Sequence, residues 1–447
     1  MAIQKITSQI IGDGIISAAD LASGSVTPGK LEANTAGTLL TTDGSAVVWK
    51  AQTALAVANT QITGTLTGSQ ISSNTLSNTV FQTSSVENYM NAQGFGMGMR
   101  NRIINGAMVI DQRNAGASVN PSGTAGAYTL DRWIIQRTVT GKFSVQQNAG
   151  SVTPPAGYTN YLGVTSLSAY TVGSTDNFWV GQHIEGYNIA DLAWGTASAK
   201  TVTLSFWVRS SLTGNFGGSL SNSGTYNRFY PFTYTISSAN TWEQKIVTIT
   251  GCPDGSWNTG NTGGILVLFG LGYGSTYGSG TAGAWVAADQ EVPTGSTSVV
   301  GTNGATLYIT GVQLEKGSVA TPFEQRPFGQ ELALCQRYYF KLQSTAAGCK
   351  FGSSFNYTTT QALGVVSFPV PMRTSPTALE QTGTAGDYSV FITSTGTVTC
   401  SSVATFNSGC TNTSDLFFNV ASGLTAGQGS VFRATNATAY LAWSAEL

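Results

Sequence analysis

His183 is the only histidine in the chain, so a metal site built from several histidines is excluded and a Ser-His-Asp arrangement would have one possible base. It sits in Trp179-Val180-Gly181-Gln182-His183-Ile184-Glu185, alternating along an expected strand, and it is read as structural. The five cysteines, Cys252, Cys335, Cys349, Cys400 and Cys410, are odd in number, irregularly spaced and without a C-x-x-C pair. They read as buried free thiols rather than as metal or redox chemistry. Paired carboxylates hydrolyse glycosides, and Asp176, Glu185, Asp191, Glu243 and Asp254 are the candidates for such a pair. The run Gly278-Ser279-Gly280-Thr281-Ala282-Gly283 matches a dinucleotide fingerprint by letter only, because no helix follows it. Asp131-Arg132-Trp133 is taken as framework: an Asp-Arg pair beside a strand tryptophan locks a core edge.

Aromatic residues in loops offer flat faces for stacking, with neutral hydrogen-bonding groups around them. Tyr273, Tyr277 and Trp285 stand in a Gly/Ser-rich run, Tyr226, Tyr230 and Trp257 in similar surroundings, and Phe355, Tyr357 and Tyr388 further along. Each could equally pack a core or a subunit interface.

The elements that must position these residues follow from composition. Of 447 residues, 41% are hydrophobic but only 9% are charged, against roughly 25% in an ordinary domain. The surface is therefore largely Ser, Thr, Asn, Gln and Gly, which favours strands and turns over long exposed helices. A net charge of −1 offers no electrostatic handle for nucleic acid or anionic lipid. Met1-Ala2-Ile3-Gln4-Lys5 does not open a signal peptide, and no stretch of about 18 apolar residues occurs. The expectation is a soluble protein made in the cytoplasm, with no membrane insertion.

Residues 1 to about 83 carry a weak repeat: Gly14-Ile15-Ile16-Ser17 ending at Leu21, Gly24-Ser25-Val26-Thr27 ending at Leu31, and Gly64-Thr65-Leu66-Thr67 ending at Ile71. Each copy offers too few apolar side chains to bury a core alone, so stacking on other copies or chains is expected, as in a trimeric shaft. A disordered Ser/Thr/Gly linker is the alternative. Ser85, Val86, Tyr89, Met90 and Gly94 space a short helix, and Gly94-Phe95-Gly96-Met97-Gly98 reads as a hinge. Beyond it, strands are expected at Trp133–Val139, Thr201–Val208, Lys245–Thr250, Ile265–Phe269 and Leu307–Leu314. Val202, Leu204, Phe206 and Val208 would share one buried face. Gln330–Leu342 reads as a helix with a Leu334, Cys335, Tyr338, Tyr339 and Leu342 stripe. Val365 to Arg373 and Ala439 to Trp443 suggest a second sandwich in which Pro369 and Pro371 keep to an edge or leave the sheet.

Four strings, in order, resemble the head domain of bacteriophage tail-fibre proteins: Asn101-Arg102-Ile103-Ile104-Asn105-Gly106-Ala107-Met108 running on to Asn114, Tyr128 to Trp133, Ser205 to Ser210, and Gly311 to Pro327. Glu331 to Tyr339 resembles the junction that follows this head. The resemblance implies a carbohydrate-binding jelly roll on a homotrimeric, virion-borne fibre, with Tyr226, Tyr230, Trp257, Tyr273, Tyr277, Trp285, Tyr357 and Tyr388 as the faces a pyranose would stack on. Its partners would be a tail or adaptor protein at the N-terminus and bacterial surface polysaccharide or lipopolysaccharide distally. Calcium-binding jelly rolls commonly place acidic residues where Ala107, Thr310 and Gly311 stand here, so no metal and no cofactor is expected. The β-helix usual in fibre depolymerases is missing, so no catalytic residue is assigned. A glycan-cleaving fibre and a structural spacer remain the alternatives. The expected fold is mainly β, in four parts: attachment and shaft over 1–94, jelly-roll head over 95–327, connecting helix over 328–342 and a small β-sandwich tip over 343–447.

Overall fold

A computed structural model describes residues 99–447 apart from Pro121 and Thr395, together with the backbone of two short strands nearer the N-terminus. The chain divides into two compact units, Met1–Gln82 and Thr83–Leu447. In the first, β1 (Thr38–Thr42) and β2 (Val47–Ala51) pair as an antiparallel hairpin. The three repeat copies, the helix expected within residues 84–94 and the glycine hinge lie outside the described residues.

In the second unit, period-two alternation builds an antiparallel two-sheet sandwich. One sheet runs β10 (Phe229–Ile236), β9 (Gly214–Asn222), β12 (Gly263–Tyr273), β7 (Asn177–Glu185), β4 (Ile134–Arg137) and β3 (Ala127–Tyr128). The facing sheet runs β11 (Glu243–Ile249), β8 (Val202–Ser210), β13 (Thr306–Lys316), β6 (Leu162–Ser166) and β5 (Phe143–Gln147). Val202, Leu204, Phe206 and Val208 all turn inward and meet Phe178, Val180, Val267 and Phe269 of the other sheet in one core. The five strands expected from sequence are present with shifted ends.

The strings that carry the family resemblance fold into a hydrogen-bonded frame at one end of the sandwich. Asn101 donates Nδ2 to the Val312 carbonyl (3.0 Å) and accepts the Ile103 and Leu314 amides at Oδ1. Asn105 accepts the Ile110 amide and donates to the Ile110 and Asp131 carbonyls, while its own carbonyl takes the Trp133 indole (3.0 Å). Gly106 is required here, since a Cβ would sit 2.2 Å from the Val312 carbonyl oxygen.

After β13, helix α1 (Phe328–Gln336) leads to a second core. The sequence reading carried this helix on to Leu342; the structure ends it at Gln336, because Tyr339 to Gln343 pair in register with Ser444 to Tyr440. Strand pairing overrides the helical spacing of Tyr338, Tyr339 and Leu342. A three-stranded sheet, β14 (Tyr339–Gln343), β23 (Tyr440–Ser444) and β17 (Glu380–Gln381), accompanies a seven-stranded one. The latter is ordered β19 (Gly396–Thr399), β18 (Tyr388–Ile392), β22 (Gly429–Ala434), β15 (Lys350–Asn356), β16 (Gln361–Ser367), β21 (Thr413–Asn419) and β20 (Thr405–Gly409). Phe340, Phe418, Phe432 and Trp443 fill the core they share. Pro369 and Pro371 fall just past the end of β16, outside the sheet. All five thiols are free; Cys252, Cys335 and Cys400 are buried, but Cys410 is exposed and Cys349 half-buried, against the expectation that all would be covered.

A buried ionic knot ties the C-terminal residues to the sandwich. Arg132, 1% exposed, pairs not with Asp131 but with Glu446, and its Nη2 donates to the His183 carbonyl on β7 (2.5 Å). Its guanidinium lies 3.6 Å from the Tyr338 ring centroid. Arg113 holds the other Glu446 oxygen (3.1 Å) and covers the Tyr339 ring, and Arg373 donates to the Ala445 and Glu446 carbonyls. Glu185 receives Arg337 through two bonds (2.9 and 2.6 Å) and the Tyr338 hydroxyl. Removing one partner strands the other charge in low dielectric. Glu446→Ala is expected to cost about 3–5 kcal/mol, read as a lowered urea midpoint.

Candidate functional site

Strand β7 is buried on both faces, and its outward residues are not surface residues of the usual kind. Phe178, Val180 and Ile184 point into the sandwich core, whereas Asn177, Trp179 and His183 point the other way. On the neighbouring β12, Leu266 and Leu268 share that outer side, as does Ile134 on β4. Together they floor a cleft of about 340 Å³. Gly181 lies between Trp179 and His183 in the same row, and a Cβ there would meet the Val267 carbonyl oxygen at 2.4 Å. Its missing side chain lets β7 and β12 close up.

Two loops complete the walls. Fully buried Asn222 organises the β9–β10 turn: its Oδ1 accepts the Asn227 and Arg228 amides (both 3.0 Å) and its Nδ2 donates to the Ser256 carbonyl. That turn holds Tyr226 at φ 48°, an uncommon backbone for a bulky residue, and leaves it 42% exposed on the cleft rim. The long β12–β13 loop folds back over the sheet, where the Glu291 amide donates to the Tyr277 carbonyl (2.8 Å) and Phe229 exchanges two backbone bonds with Val286. This delivers Asp289 and Glu291 to the cleft beside Gln136.

The lining contains no lysine or arginine. Glu291, 7% exposed, accepts the Tyr273 hydroxyl (2.8 Å) and Asn177 Nδ2 (3.0 Å). Burial pushes its carboxyl up to about 7, with the Tyr273 bond opposing and Asp289 adding to the rise. Burial also raises Asp289. His183 shares a 2.9 Å hydrogen bond with Ser223, and burial, followed by the Arg132 charge, pushes its imidazole down to about 4. It is therefore neutral near pH 7. Among the described residues no three His, Cys, Asp or Glu side chains gather to hold a metal ion.

The aromatic residues singled out from sequence divide into four groups. Tyr226 lines the cleft, Tyr273 binds its buried carboxyl, and Tyr277 supports it through a backbone carbonyl. Trp257 and Trp285 instead pack on Trp194 and on each other, and Tyr230 on Trp285, in edge-to-face contacts 4.7–5.5 Å between centroids, and the Trp257 and Trp285 indoles donate to backbone carbonyls. On the tip, Tyr357 is exposed beside Phe355, while Tyr388 is fully buried with its hydroxyl donated to the Tyr440 carbonyl. The five candidate carboxylates are dispersed in local contacts: Asp176 with Tyr170 and Thr138, Glu185 with Arg337, Asp191 with Arg102, Glu243 with Lys245, and Asp254 with Arg228. Sequence reasoning passed over Asn177, Trp179, Asp289 and Glu291. The alternation of Asn177, Trp179 and His183 against Phe178, Val180 and Ile184 was the available signal for three cleft residues.

No family model matches the chain, and no curated protein matches it. Solved structures do. The enzymatically active domain of bacteriophage CBA120 tailspike protein 4 matches at 11% identity and a TM-score of 0.26, over 42% of this chain and 20% of its own length. TmCBM61 in complex with β-1,4-galactotriose matches at 10% identity and 0.26, over 49% of this chain and all of its own. A family 11 carbohydrate-binding module from Clostridium thermocellum matches at 10% and 0.23, over 47% of this chain and all of its own.

The raised Glu291 carboxyl makes stability depend on pH with a definite sign. Between its ordinary value of 4.5 and about 7, the folded protein keeps a proton that the unfolded chain releases. That contribution is complete below pH 4.5 and is lost as pH rises through 7. Glu291→Gln cannot lose it, so between pH 4.5 and 8 the variant is expected to gain roughly 1–3 kcal/mol relative to the parent in urea unfolding.

Proposed function

We propose that the chain binds carbohydrate in the cleft on the outer face of the six-stranded sheet, and that it is the receptor-binding fibre of a bacteriophage tail. In this reading three chains associate, residues near the N-terminus attach to the tail or an adaptor, and the second unit grips bacterial surface polysaccharide or lipopolysaccharide. The observation that carries the binding role is one cleft with two kinds of surface. Trp179, Tyr226 and Ile134 offer rings and aliphatic surface over a floor backed by Leu266 and Leu268, and Asn177, Gln136, Asp289 and Glu291 offer hydrogen-bonding groups. A pyranose has the same division, with C–H groups on its faces and hydroxyls at its edge. The fibre assignment rests on the four ordered strings between Asn101 and Pro327. Three copies would strengthen weak single-site affinity through avidity, and a surface with few charges limits nonspecific adhesion.

Binding without cleavage is the proposed activity. Titration calorimetry of the intact protein with oligosaccharides from a susceptible host is expected to show binding that Trp179→Ala weakens about tenfold or more. Tyr226→Ala, at an exposed rim position, is expected to weaken it severalfold with the fold unchanged by circular dichroism. No reducing ends should appear on prolonged incubation; their release would replace the binding role with a depolymerase. Unchanged affinity in both variants would move the site elsewhere, and a single-chain mass in sedimentation would remove the trimer.

A further inference from the structure

The cleft is one-sided in its hydrogen bonding, and that feature narrows what fits it. Among the charged side chains it presents only carboxyls, Asp289 and Glu291, and neither owes any part of its pKa shift to a neighbouring cation. Asn177, 8% exposed, turns Nδ2 to Glu291, which leaves its buried Oδ1 with no hydrogen-bond partner among the described residues. A carboxyl buried without a cation is costly for the protein once it ionises. That deficit is met by a group that donates several hydrogen bonds and carries positive charge. A metal ion suits the place poorly. Each Glu291 oxygen already accepts a hydrogen bond, from Asn177 or Tyr273. Calcium would need six to eight oxygens, and the cavity, at about 340 Å³ with an apolar floor, is sized for an organic ligand.

We propose that the cleft selects a sugar carrying a free primary ammonium group, seated between Glu291 and Asp289, with the ring against Trp179 and Tyr226. This deepens the carbohydrate-binding reading and rests on it. An N-acetyl group on the same nitrogen would remove the charge and two donors and add a bulky acyl group, so the selection is against acetylated sugars as well as for amino sugars. The titratable groups facing the ammonium are Asp289 and Glu291, with His183, Tyr226 and Tyr273 around them, and His183 supplies no competing charge near pH 7.

The test is calorimetry on the intact protein at pH 7 with matched tetrasaccharides: fully deacetylated and fully N-acetylated glucosamine oligomers, the corresponding galactosamine pair, and host-derived oligosaccharide. In at least one pair the amine form is expected to bind about tenfold or more tightly. Glu291→Gln and, independently, the exposed-site variant Asp289→Asn should each bring that ratio towards one. Asp415→Asn on the tip should leave the ratio intact; a fall there would reveal nonspecific attraction of cations and overturn the proposal. Competition by Nα-acetyl-lysine amide as strong as that of the amino sugar would likewise overturn it, since the sugar would then add nothing. Host oligosaccharide binding in the cleft with no gain for either amine removes this inference and spares the carbohydrate reading. Absence of binding in every arm removes both.

Discussion

The buried pairing of Arg132 with Glu446 is the constraint on which the second unit depends. Arg132 stands in a left-handed backbone conformation with φ 71°, which few non-glycine residues adopt unless their surroundings hold them there. Its guanidinium joins three parts of the chain at once: the last residues through Glu446, the segment after α1 through the Tyr338 ring, and β7 through the His183 carbonyl. Strand β7 in turn presents Asn177, Trp179 and His183 to the cleft. The ionic knot at the C-terminus thus fixes the strand that forms the cleft floor. The same charge also helps keep His183 neutral.

The second consequence is electrostatic. In a chain with so few charged residues, several are gathered into ion pairs: Arg113 and Arg132 on Glu446, Arg337 on Glu185, Arg326 on Glu324 and Glu331. Such pairs add little net stability over well-packed apolar substitutes, but they tolerate only one arrangement of the segments that carry them. Asp289 and Glu291 have no such partner: the fold brings them to an apolar cleft without a lysine or arginine in its lining.

Much of the architecture was legible in the sequence because the signals were local. Alternation of Val202, Leu204, Phe206 and Val208 places a strand whatever surrounds it. The turn residues and prolines beyond β16 act within a few positions. Helix α1 was overextended because Tyr338, Tyr339 and Leu342 keep helical spacing while their partners, Tyr440 to Ser444, lie about a hundred residues away. The family-like strings marked the frame and not the site: Asn101, Asn105, Asp131, Trp133 and Gln313 spend their polar groups on backbone and on one another. The cleft residues come from β4, β7, β10, β12 and two loops, and all lie outside those strings. Tyr230, Trp257, Trp285 and Tyr388 looked as available as Tyr226, because composition cannot show which ring has its faces covered. Asp289 and Glu291 escaped notice because only the fold over the sheet brings them to Asn177 and Tyr273.

A structure of the intact protein with oligosaccharide from its susceptible host bears most directly on the central claim. The account predicts a sugar ring lodged against Trp179 and Tyr226, with polar groups directed to Asn177 and Glu291. Sugar bound instead on the exposed Phe355 and Tyr357 surface of the tip, with the cleft unoccupied, would contradict it.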